Sequence, residues 1–86
     1  MISIKTASGL ELTFPRKKLD DWETMKLLRD IDKGEDFKLI DLCERLFDDD
    51  IEKIKEHVKD EDGDVTFTAM AEEIALIFSA VKELKN

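Results

Sequence analysis

The apolar residues of this chain change their spacing once, and the change falls at Pro15. Before it, in ISIKTASGLELTF, Ile2 and Ile4 alternate with polar residues, and Leu10, Leu12 and Phe14 do the same beyond Ser8 and Gly9. A period of two puts one face of each strand in a core, which predicts a β-hairpin turning at Ser8 and Gly9. After Pro15 the apolar positions recur at three and four residues, as they do along helices. Two strands alone are marginal in water, so the hairpin's apolar face has to rest on the helices or be completed by another chain. The expected fold is α+β and mainly α. An N-terminal β-hairpin over residues 1–15 precedes a compact bundle of about four helices over 19–86, the whole forming a single domain 1–86.

Start and stop signals divide the helical part. Asp20 with Glu23 has capping-box spacing for a helix that carries Leu19, Trp22, Met25, Leu28 and Ile31, and Gly34 stops it. Asp36 is the expected cap of a second helix, with Leu39, Leu42, Cys43 and Leu46 in one stripe that Ile40 and Phe47 widen. Asp49 with Glu52 repeats the capping box before a third helix containing Ile51, Ile54 and Val58. Thr66 is expected to cap the longest helix, which runs to about Leu84. There Met70, Ile74, Ile77, Val81 and Leu84 share one narrow face, with Phe67 and Phe78 beside it. Leu76 lies away from that face among Ala69, Ala80 and Glu73. This second patch makes Ala69, Leu76 and Ala80 the candidate partner-binding residues; cover by another helix of the same bundle is the alternative.

The acidic stretch KDEDGDVTFTAM, residues 59–70, has the look of a calcium loop. Such a loop needs oxygen ligands at its first, third, fifth and twelfth positions and glycine at its sixth. With Gly63 sixth, Asp60 and Asp62 fall correctly, but Val58 and Ala69 occupy the first and twelfth positions. Starting instead at Asp60 puts Val65 where glycine is needed and Ala71 where a closing glutamate belongs. The stretch therefore reads as punctuation, with Gly63 closing one helix and Thr66 opening the next.

The remaining composition narrows the function. A formal charge of −8 disfavours nonspecific binding to nucleic acid or anionic membrane, both of which reward clustered lysine and arginine. The single Cys43 excludes an intrachain disulfide and sits in an apolar helical pattern, as a small hydrophobe would. No apolar run approaches a membrane span and no leader pattern opens the chain, so a cytoplasmic location is expected. His57 is the only histidine, and Ser3, Ser8 and Ser79 lack any flanking nucleophile motif. Phosphate-loop and zinc-ligand spacings are absent. The chain reads as a binding or assembly protein, with neither enzyme activity nor a cofactor or metal expected.

The order of segments adds a resemblance. DDWETMKLLRDIDKGE, then LIDLCERLFDDDIEKIKEHVKDEDGDVTFTAMAEEIALIFSAVKELKN, gives an acidic helix with a tryptophan, a short apolar helix, an acid-rich break, a charged helix and a final AMAEEIALIF helix. Across nearly its whole length this succession resembles the small tail assembly chaperones of long-tailed bacteriophages and prophages. The resemblance implies a small acidic protein of the bacterial host cytoplasm that binds the tape-measure protein and helps tail-tube subunits polymerise around it. It supplies no catalytic residues and fixes no binding residue. A homo-oligomer is also expected of a small interaction protein. The alternative is an acidic protein-interaction or regulatory module with a weakly calcium-responsive loop at 60–64, in which Asp60, Asp62 and Asp64 donate oxygens.

Overall fold

The computed structural model describes residues 1–84; residues 85 and 86, included in the expected bundle, lie outside the described residues. Strands β1 (Ile2–Lys5) and β2 (Glu11–Phe14) form a two-stranded sheet. A 3-10 turn (Arg16–Asp20) follows, and then helices α1 (Trp22–Asp32), α2 (Lys38–Leu46), α3 (Ile51–Val58) and α4 (Phe67–Glu83). The fold is α+β and mainly α, as the change of period predicts. No described helix is long and apolar enough to cross a membrane.

The hairpin turns as its sequence requires. Thr6 N–H bonds to the Leu10 carbonyl at 2.8 Å and Gly9 N–H to the Thr6 carbonyl at 2.9 Å, with Gly9 at φ 95°. A three-residue loop of this kind needs a left-handed residue at its last position, where glycine alone has no Cβ to strain. Alternation then buries Ile2, Ile4, Leu10, Leu12 and Phe14 on one face, while Ser3 and Thr13 hydrogen-bond across the other at 3.0 Å.

The chain divides into two compact units. The first comprises Met1–Ile2 and Phe14–Ile51, and the second comprises Ser3–Thr13 together with the described residues from Glu52 onward. In the first, α1 packs along α2, and Leu39, Leu42, Cys43, Leu46 and Phe47 are buried with Phe14. The Phe47 ring meets that of Phe14 edge-on at a centroid distance of 5.6 Å. In the second, Ile4, Leu10 and Leu12 are buried, as are Ile54, Ile74, Ile77 and Val81.

Several helix ends differ from expectation. Asp21, not Asp20, caps α1: its carboxylate accepts from Thr24 N–H at 3.1 Å and from the Thr24 hydroxyl at 3.2 Å. Phe37, not Asp36, occupies the N-cap position of α2, which is entered through consecutive tight turns and has no side-chain cap. Among the described residues Asp49 makes no capping bond to α3; the chain enters that helix through a turn in which Asp50 N–H bonds to the Phe47 carbonyl at 2.8 Å. Gly63 does not close α3, which ends at Val58; it turns the following loop at φ 83°. Thr66 caps α4 as expected, accepting from Ala69 N–H at 3.0 Å. Gly34, at φ 101°, closes α1 in a Schellman arrangement, with Glu35 N–H on the Asp30 carbonyl at 3.0 Å and Gly34 N–H on that of Ile31 at 2.9 Å.

Burial corrects four core assignments. Trp22 and Met25 are exposed on α1, Ile40 is exposed on α2, and Leu84 is exposed just beyond the end of α4.

Candidate functional site

The predicted contact patch on α4 is only half open. Ala69, Leu76 and Ala80 are each half-buried, whereas Glu73, which lies within about 60° of all three on the helix, is buried. The cause is the hairpin tip. Thr6 donates its hydroxyl to Glu73 Oε2 at 2.9 Å, and Ser8 donates to Oε1 at 2.7 Å and Oε2 at 2.9 Å. The two hydroxyl oxygens lie 2.9 Å apart because both reach one carboxylate. These bonds replace water around an acid that is 4 % exposed, which otherwise would be a costly group to bury.

His57 joins the same cluster, with Nε2 3.0 Å from Ser8 Oγ. A serine, a histidine and a glutamate in contact invite comparison with a nucleophile triad, so the protons decide the matter. Ser8 has one hydroxyl proton, and with that proton on Glu73 the contact to His57 is made by the imidazole tautomer that donates from Nε2 to Ser8 Oγ. In a nucleophilic pair the direction is reversed, and the imidazole accepts from the serine. The arrangement is a clasp that pins the hairpin tip to α3 and α4 within the second unit. Sequence reading missed it because the hairpin hydroxyls lie 49 to 67 positions from the helical side chains they meet.

The acidic loop brings carboxylates of Asp60, Asp62 and Asp64 within 4.8 Å of one another, all on exposed residues. Asp60 Oδ1 already accepts from the backbone N–H groups of Asp62 and Asp64, each at 2.9 Å. The aspartate thus builds its own turn, a common reason for this residue in a loop. Glycine at 63 completes that turn, and no glutamate closes the set.

Two open clefts lie in the first unit. One, of about 500 Å³, is lined by Lys18, Asp41, Glu44, Arg45 and Asp48, and the other, of about 420 Å³, by Lys17, Lys18, Asp21, Thr24 and Arg45. Their shared Arg45 donates to Asp21 at 2.6 Å, joining the start of α1 to the last turn of α2. The guanidinium, helped by Thr24 N–H, lowers the Asp21 pKa to about 2, and Arg45 is correspondingly raised. Neither lining contains serine, cysteine or histidine. Cys43 is buried elsewhere, and desolvation raises its thiol to about 11, which leaves it unreactive.

Both units expose large apolar groups, Val65, Phe67 and Leu84 in the second and a more open set in the first. Trp22 is 77 % exposed, Met25 43 %, Phe37 80 % and Ile40 53 %. Trp22 and Met25 begin the outward side of α1, opposite the fully buried Thr24. A tryptophan in this condition is unusual, since the residue buries more area than almost any other when a partner is at hand. Compared with known proteins, the chain matches no family model, no curated protein and no solved structure.

Proposed function

We propose that this chain is a non-enzymatic assembly chaperone of phage or prophage tails, acting in the host cytoplasm by binding the tape-measure protein and assisting tail-tube assembly. The observation that carries the reading is the exposed apolar surface of the first unit, above all Trp22, on a chain with a formal charge of −8. Tryptophan and methionine are enriched at the anchoring centres of interfaces, and net charge keeps a complex with an apolar client dispersed. The tail-specific part of the proposal rests on the sequence resemblance, and self-association of the chain belongs to it as well.

The test is co-purification of the tagged protein with the tape-measure and tail-tube proteins encoded beside it, at low and high salt. Capture of the tape-measure protein that survives high salt is expected, because apolar contacts are not screened. Capture of neither protein at either salt overturns the proposal.

The competing reading is an acidic interaction module that responds to calcium through residues 60–64, favoured by the convergence of three carboxylates there. The two readings part on one measurement. A calcium-binding loop raises the melting temperature on addition of millimolar calcium, because the ion stabilises the folded state by mass action. The chaperone reading predicts no such rise beyond that given by magnesium at equal ionic strength.

A further inference from the structure

We infer that the outward face of α1 receives an amphipathic helical segment of a partner protein whose apolar stripe is bordered by acidic side chains. The inference deepens the binding reading above and rests on it. At about 100° per residue, Trp22, Met25, Lys26, Arg29 and Lys33 fall within an arc of about 100°, centred opposite Thr24. All five are exposed. The acids of the same helix, Glu23, Asp30 and Asp32, lie outside that arc. In a chain where 22 acids outnumber 14 bases, one helix face thus carries three cations and no acid behind an exposed tryptophan and methionine.

The cations are available to a partner. Lys26 pairs with Glu23 at 3.6 Å in solvent, where such pairs contribute little and exchange readily, and Arg29, its own side chain exposed, pairs with the half-buried Asp30 at 3.1 Å. Lys33 makes no ion pair among the described residues. An 11-residue helix extends about 16 Å, enough to lie along about three turns of another helix. Trp22 and Met25 suit the apolar stripe of such a segment at one end of the contact, and the three cations suit a border of carboxylates along the rest. A polyanionic nucleic acid or an anionic membrane would meet the repulsion of the −8 chain around this small patch.

Two synthetic amphipathic peptides of about 18 residues, long enough to form helix on a surface, test this. They share one leucine stripe, bordered in one by glutamate and in the other by lysine. The emission of Trp22, the only tryptophan, reports docking directly. A blue shift with the glutamate-bordered peptide is expected, with affinity about tenfold above that of the lysine-bordered peptide at low salt, the sum expected of about three exposed ion pairs. The preference should collapse in 1 M salt. The triple variant Lys26→Glu, Arg29→Glu, Lys33→Glu, with its helical circular dichroism unchanged, should reverse the preference. Equal or tighter binding of the lysine-bordered peptide, which the net charge alone would favour, overturns the inference. So does a blue shift seen only with anionic phospholipid vesicles, or none with any probe. Failure here alongside successful tape-measure capture would move that client to another surface, so the two proposals fail separately.

Discussion

Phe47→Ala is expected to destabilise the first unit by about 3–5 kcal/mol, the cost typical of removing a fully buried phenylalanine ring. Phe47 is 1 % exposed, and its ring packs edge-on against Phe14 at an interplanar angle of 85°, so truncation removes dispersion contacts on every side and an aromatic pair besides. Domains of this size are stable by about 5–15 kcal/mol in all, so a substantial unfolded population should appear at moderate temperature. Phe47→Leu retains most of the volume and should lose far less. Urea denaturation followed by far-ultraviolet circular dichroism measures both. A loss below about 1 kcal/mol for the alanine variant would mean that the ring does not fill a close-packed site.

The second large effect is expected at Glu73. Glu73→Ala leaves the buried Thr6 hydroxyl without its acceptor, while water can replace the carboxylate at the exposed Ser8, at a cost of about 1–3 kcal/mol. Glu73→Gln keeps one carbonyl oxygen and should fall between wild type and alanine. The double variant Thr6→Val, Glu73→Leu removes the buried donor and acceptor together and should recover part of the loss, the remainder being the Leu10 N–H, which also loses Thr6 Oγ1 as its acceptor. If Glu73→Ala melts with wild type, the hairpin tip is not held through this carboxylate.

These two sites also show what the amino-acid sequence reveals and what it conceals. The hairpin, the two glycines that close turns at Gly9 and Gly34, and the Thr66 cap are local features, each decided by residues a few positions apart, and they were legible. Choosing between neighbouring acids as caps was not, because Asp20 and Asp21 differ only in the backbone angle at which the chain leaves the preceding 3-10 turn. The α1 stripe misled for a geometric reason. Trp22, Met25, Leu28 and Ile31 are spaced by three, so each step falls back about 60° around the helix and the set winds halfway round it. One end of such a stripe must face out when the other faces in, and Trp22 is the end that does. Glu73 reads as a surface acid beside Leu76, because nothing near it in the chain announces that Thr6 and Ser8 will meet it.

The placement of Trp22 is therefore the point on which the functional account turns. The most direct measurement is capture of the tape-measure protein by the tagged wild-type chain and by Trp22→Glu, run in parallel at high salt. The side chain is already in solvent, so the substitution should leave the melting temperature within a degree or two. Salt-resistant capture by wild type, reduced at least about tenfold in Trp22→Glu, is the predicted result, as expected for an aromatic anchor at an interface. Undiminished capture by Trp22→Glu, or no capture by wild type, would contradict the account.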